Sequence, residues 1–318
     1  MSFTLPMDAP LGKSLSRLGV KQLGKAMSQL TPEVGDQTGV HGARKCFKRF
    51  RSLLLLARPG LDREVFARYN TGVRDIARCF STTRDRQAMC ESVSKIEAEA
   101  PPIAVRTVVT AAKTALKLEP DAAGVADHRS QQKALAQLKS LKRDFRSVSI
   151  NVEHFSDMKK GLIAVYDDGR SRMHGLQARA GVDGEAFHDW RKSVQRHWRH
   201  LQLLTLCWPA AIQEQVRQAR TLSQLLGDDQ DLSVLQNFAV ARHASLGSKS
   251  DVAEFLAFCV ARQATLRAAA EANGRRLFAE KPGAIARRLA AYWEAGPIAT
   301  GSNIETRPAM SQALVLVK

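Results

Sequence analysis

The chain has 318 residues, 44% of them hydrophobic and only 6% aromatic, and 48 Lys and Arg against 31 Asp and Glu leave a net charge of +17. A surplus of that size calls for an anionic partner, with nucleic acid, anionic lipid and polyphosphate-like polyanions as the candidate classes. Purely apolar runs such as 53–57 and the longest, 255–261, are far too short for a membrane span, and few aromatics beside abundant Ala, Leu, Arg and Gln argue against a sheet architecture.

Apolar residues recur at a spacing near 3.6 along almost the whole chain, which predicts helix after helix. Leu11, Leu15, Leu18, Leu23, Met27 and Leu30 mark the first, ended by Thr31–Pro32. The second spans 38–57 and stops at Pro59–Gly60. Helices over 62–80 and 83–99 follow, then Pro101–Pro102, then 103–118 and 127–150. A fresh series covers 155–180, 184–207, 210–226, 229–245, 249–279 and 282–295. No alternating β-branched run bounded by turn residues predicts a strand. Residues 296–318, rich in Gly, Thr, Ser, Asn and Pro, read as a flexible tail. The five cysteines (46, 79, 90, 207 and 259) include no CxxC pair and read as small apolar residues. The opening "MSFTLPMDAP" has no basic stretch followed by an apolar run, so no signal peptide is expected and a cytoplasmic protein is.

Two stretches repeat. "HGARKCFKR" at 41–49 and "HDWRKSVQR" at 188–196 share His, then Arg-Lys three and four residues on, then Arg. Downstream of each lies an acidic landmark, Arg84–Asp85 and Gln230–Asp231, at nearly the same separation. Landmarks in the same order suggest a duplicated helical unit.

At about 100° per residue, Arg44, Lys45, Lys48, Arg51 and Ser52 fall on one strip centred on His41, with Arg49 at its margin. Ala43, Cys46, Phe47, Phe50, Leu53, Leu54 and Ala57 fall opposite. In the second copy His188, Arg191, Lys192, Gln195, Arg199 and Gln202 share a strip, and Trp190, Val194, His197, Leu201, Leu204 and Trp208 the apolar side. Like charges at i,i+4 cost a few tenths of a kcal/mol each, yet no acid lies between Arg44 and Arg58. The strip therefore reads as a surface for an external polyanion. Arg supplies planar forks for phosphate oxygens, Lys a compact charge, and His a donor that a nearby phosphate would protonate.

These motifs resemble the CHAD family, the conserved-histidine α-helical domain, whose mark is a duplicated H-x-x-R-x-x-x-[KR]-[KR] helix followed by R-D or Q-D. Here that is His41, Arg44, Lys48 and Arg49 with Arg84–Asp85, then His188, Arg191 and Arg196 with Gln230–Asp231; "KPGAIARRLAAYW" is similar to the family's close. The likeness covers 9–295. It implies an all-α fold of two four-helix bundles, 9–150 and 151–295, related by an approximate two-fold axis. It also implies a shared basic groove that binds inorganic polyphosphate, often at granules, with no catalytic activity. Gln195 and Trp198 depart from the family pattern, where basic residues are usual.

The expected phosphate-binding residues are His41, Arg44, Lys45, Lys48, Arg49 and Arg51 from the first copy. From the second they are His188, Arg191, Lys192, Arg196 and Arg199. Arg84, Asp85 and Asp231 are expected in support, capping a helix or holding an arginine. No catalytic residue, cofactor, metal or membrane contact is expected. Granule-associated proteins are candidate partners. Nucleic acid is the alternative ligand, set back by tryptophans on apolar positions rather than on a stacking surface. A metal-dependent phosphohydrolase ranks last: "HD" at 188–189 is similar to HD phosphohydrolases, but that chemistry needs further converging ligands. "EAEAP" at 97–101 lacks the lysine of a triphosphate-tunnel strand.

Overall fold

The computed structural model describes residues 3–30, 37–118, 125–177 and 184–296, with the backbone alone at 37–38, 81–88, 125–130 and 177. The expected tail from 297 on lies outside the described residues. Among them the fold is all-α, with no strand. The helices are α1 (Leu11–Gln29), α2 (Gln37–Ala57), α3 (Arg63–Arg78), α4 (Ser81–Ala98), α5 (Ile103–Leu118) and α6 (Val125–Phe145). Then come α7 (Phe155–Gln177), α8 (Gly184–Leu203), α9 (Pro209–Ala241), α10 (His243–Leu246), α11 (Lys249–Leu277) and α12 (Pro282–Glu294).

Local chemistry sets most boundaries. Asp62 caps α3, its carboxylate accepting from the Glu64 and Val65 amides. Ser248 and Asp251 form a capping box at α11. Pro209 and Pro282 each stand in the first turn of their helix. Two boundaries differ from expectation. The helices expected at 210–226 and 229–245 are one continuous α9, which runs through Gly227. The segment expected as helix up to 150 leaves α6 at Phe145, and Asn151 instead donates to the Gly60 carbonyl at 2.8 Å while Val152 accepts from Gly12 at 2.8 Å.

Neighbour relations recur along the chain. α1 packs on α2 and α6, as α7 packs on α8 and α12; α4 packs on α5, as α9 packs on α11. The larger core draws mainly on α1–α3, α6–α9 and α12, around Phe50, Tyr69, Phe145, Tyr166 and Trp190. A second core joins α4 and α5 to α10, α11 and the C-terminal half of α9. Both cores therefore draw on both halves of the chain.

The two helices that carry the histidine motifs touch directly. His200 of α8 is fully buried, and its Nε2 lies 2.8 Å from the Ser52 carbonyl of α2. A neutral ring with its proton on Nε2 makes that bond. Burial is the main reason its pKa falls to about 4, with the nearby Arg196 adding to the shift. His197, also fully buried, lies edge-on to Tyr166 at 5.1 Å and tilted against Phe278 at 5.7 Å. Burial pushes it down to about 3.

Both imidazoles are thus neutral in the fold, with pKa values below the ordinary 6.5. As pH falls below about 6.5 the unfolded chain takes up these protons first. Their contribution is complete above that pH and is lost toward about 4 for His200 and about 3 for His197, by up to about 1.4 kcal/mol per pH unit each. Urea unfolding across this range is expected to show the slope, and His197→Phe to reduce it; an unaltered slope in that variant contradicts the assignment.

α7 crosses the end of α2 closely enough that a Cβ on Gly161 would sit 2.4 Å from the Leu56 carbonyl oxygen and 2.5 Å from that of Leu55. Gly175, in the same helix, has nothing within 4 Å. Gly161→Ala is expected to destabilise by about 1–3 kcal/mol and Gly175→Ala to stabilise by about 0.5–1 kcal/mol. Thermal melts of the two variants should move in opposite directions.

Candidate functional site

α2 sets its charges at graded depths. His41, Lys45 and Lys48 are exposed, while Arg44, Arg49 and Arg51 are half-buried. Arg44 Nη1 donates to the Ala77 carbonyl at 3.1 Å, among the last carbonyls of α3, which lack partners within their own helix. Arg51 Nε donates to Asn70 Oδ1 at 2.8 Å. Arg49 lies over the Phe3 ring, 5.3 Å from its centre. Ser52 departs from the expected exposed strip: it is buried, its hydroxyl donates to the Lys48 carbonyl, and its own carbonyl receives His200. A helical wheel places Ser52 beside the cations, but α8 covers that end of the strip.

α8 carries its charges differently. The His188 ring bonds the Gln230 side chain, and burial first, then Lys192 and Arg191, lower its pKa. The Arg191 guanidinium lies over α9 at Gly227, where an added Cβ would meet Nη2 at 3.3 Å. Lys192 Nζ is 2.8 Å from Asp189, which also holds Arg172 at 3.1 Å. Arg196 Nη1 is 3.3 Å from Asp168, a carboxylate that binds Arg172 at 2.9 Å and accepts from the Ser193 hydroxyl. Arg199 is only 6% exposed, packed on the Trp198 ring with a guanidinium N–H donating to the Gln195 carbonyl. Burial, with Arg49 adding, pushes its pKa down to about 10, so it stays charged at neutral pH.

Cations of the two helices meet across their contact. Arg196 is, after burial, the largest influence lowering the Arg51 pKa, followed by Arg74 and Arg78 of α3. Arg49 acts on Arg199 in the same way. The Arg84 and Asp85 side chains lie outside the described residues. Asp231 lies inside α9 and not at a helix start; with Asp228, whose carboxylate is 2.6 Å from Lys95 Nζ, it raises the Lys95 pKa.

Sequence reasoning missed the buried group behind the second strip. Asp229, 2% exposed, pairs with Arg267 of α11 through Nε at 2.6 Å and Nη2 at 3.4 Å. Arg267 also lies over the Phe187 ring of α8, 4.7 Å from its centre. Gln263 donates to the Asp229 carbonyl at 3.0 Å and to Ser233 at 2.8 Å. Burial still raises the Asp229 pKa, against the pull of Arg267 and Arg191. This network locks α9 to α8 and α11 at the turn whose Gly227 and Gln230 touch Arg191 and His188. The available signal was "GDDQD" in a helical segment: acids on consecutive positions of a packed helix cannot all face water.

Forked guanidiniums and exposed ammoniums beside one another suit the oxygens of a polyanion. Among the described residues no group of three or more His, Cys, Asp or Glu could hold a metal ion, and no helix is long and apolar enough to cross a membrane. No curated protein matches the chain. The family model for the CHAD domain matches residues 21–240, from within α1 to the penultimate residue of α9. That match takes in both histidine helices and spans more than half of the sequence, and the chain belongs to the CHAD family.

Proposed function

We propose that the protein binds inorganic polyphosphate, without turning it over, in a basic groove between α2 and α8. In this reading the chain is two four-helix units related by an approximate two-fold axis, each built around one histidine helix. It resides in the cytoplasm at polyphosphate granules, where granule-associated proteins are its partners.

The observation that carries the reading is the bond from His200 to the Ser52 carbonyl, which ties α2 to α8 where Arg196 acts on Arg51 and Arg49 on Arg199. The recurring neighbours of α1 with α7 and of α2 with α8 support the two-fold arrangement. Lys45, Lys48 and Lys192 are exposed enough to reach phosphoryl oxygens. Arg199 lies too deep for contact and raises the potential from beneath. Arg44 and Arg191 are engaged by α3 and α9, and this fixes the level of each strip. A ligand without bases is favoured over single-stranded nucleic acid because the one exposed tryptophan, Trp208, lies edge-on against Tyr292 of α12 and belongs to neither strip.

Charge reversal at the exposed positions, Lys45→Glu with Lys48→Glu, is expected to abolish polyphosphate retention at physiological salt while helical circular dichroism is unchanged. Parent affinity should fall with salt by about 0.7 log unit per log unit for each phosphate contact. Retention equal to the parent's removes α2 from the site. Long-chain polyphosphate should displace DNA and RNA at equal phosphate concentration; the reverse order selects nucleic acid.

The His188 pKa lies below its ordinary value in the free protein, and a bound polyanion favours the charged ring. Binding therefore takes up a proton, and affinity rises as pH falls through neutrality, levelling off below the free-protein pKa. His188→Gln should flatten this profile in titration calorimetry. A flat parent profile takes His188 out of binding and leaves the arginines in it.

A further inference from the structure

Two hydrogen bonds fix how α3 lies on α2. Arg44 reaches the Ala77 carbonyl, and Arg51 reaches Asn70, each pair seven residues from the other on both helices. The helices therefore run antiparallel in a defined register. That register puts Arg74 level with Phe47 and Lys48, and Arg78 level with Ala43 and Arg44. Asn70, Arg74 and Arg78 recur every four residues, so they share one face of α3. Arg51 is held by the neutral oxygen of an amide, which orients the guanidinium without cancelling its charge. Arg196 of α8 and Arg74 and Arg78 of α3 all act on Arg51 and, after burial, lower its pKa. The side chains of Arg74 and Arg78 are 44% and 71% exposed, with Asp75 at 3.1 Å from the first and 3.5 Å from the second.

We infer that Arg74 and Arg78 extend the polyanion site beyond the two histidine helices, so that a polyphosphate chain crosses from α8 over Arg51 of α2 onto α3. The inference rests on the proposed reading and adds its direction and reach. Three adjacent helices span about two interaxial spacings, roughly 16–20 Å, further than tripolyphosphate extends. The α3 arginines therefore act on long chains and not on short ones, and they set a length preference.

The test is titration of the full chain with tripolyphosphate and with long-chain polyphosphate at several salt concentrations. The double variant Arg74→Gln with Arg78→Gln, at exposed positions, is expected to lose about five- to tenfold in affinity for the long chain. Its salt slope should fall by about 1.4, the share of two contacts. Its tripolyphosphate affinity should stay within about twofold of the parent's. Asp75→Asn, which removes a carboxylate beside both arginines, should strengthen long-chain binding by about two- to fivefold. Parent-like long-chain affinity and slope in the double variant overturn the inference, as do equal losses for both probes. If Lys45→Glu with Lys48→Glu abolishes binding while the α3 variant binds as the parent does, the extension alone falls. A parent that retains neither probe sinks the extension and the groove together.

Discussion

Like charge brought together at a helix contact is the constraint around which this molecule is organised. α2 and α8 are pressed together by the larger core beneath them, while the charge of Arg196 acts on Arg51 and that of Arg49 on Arg199. Each such approach opposes folding. Arg199 carries the largest burden, since its buried guanidinium is still charged at neutral pH. A chain selected for stability alone would interleave carboxylates here. The core that tolerates the arrangement is broad: it draws on α1–α3, α6–α9 and α12, so repulsion at one seam is opposed by burial across most of the molecule.

The two copies handle that repulsion in different ways. At α8, Asp189 together with Asp168 of α7 holds Lys192, Arg196 and the α7 residue Arg172 in a chain of ion pairs. On α2, the Ala77 backbone carbonyl accepts from Arg44 and the Asn70 amide oxygen from Arg51, and both acceptors are neutral. Neutral acceptors orient an arginine and leave its field intact; carboxylates orient it and reduce the field. The second strip, already poorer in cations at Gln195 and Trp198, has Lys192 and Arg196 held in ion pairs. Under the proposed reading α8 supplies a fixed wall, its charges held in place by Asp168 and Asp189.

Helices and strips were legible in the sequence because both depend on spacing along one helix axis. What depends on a second helix was not. Ser52 and Arg199 sit at angles that a wheel assigns to the cationic side, yet neighbouring helices bury them. Asp168 lies on α7, about a score of positions before the strip it neutralises, with nothing local to link them. Gly227 and the acids after it read as a break between helices, since glycine and aspartate both weaken a helix. The glycine is instead where the Arg191 guanidinium lies flat on α9, and one of the acids is the buried partner of Arg267. An isolated glycine costs about 1 kcal/mol in a helix, a penalty the packing of a continuous α9 absorbs.

The choice of imidazole beneath the seam follows from the same electrostatics. A carboxylate at position 200 would be drawn to Arg196 and would cancel part of the field above it, and it could not donate to the Ser52 carbonyl when ionised. A lysine would donate but would add a buried charge to those already crowded there. A leucine would pack and leave α2 and α8 without a directional tie. Histidine donates while neutral in this pH range, because burial and the neighbouring Arg196 push its pKa down rather than forcing a charge into the core. The bond that registers the two copies therefore contributes nothing to the potential of the face above it. Salt then acts on the strips without touching the junction, while acid reaches both, the junction through His197 and His200 and the strip through His188.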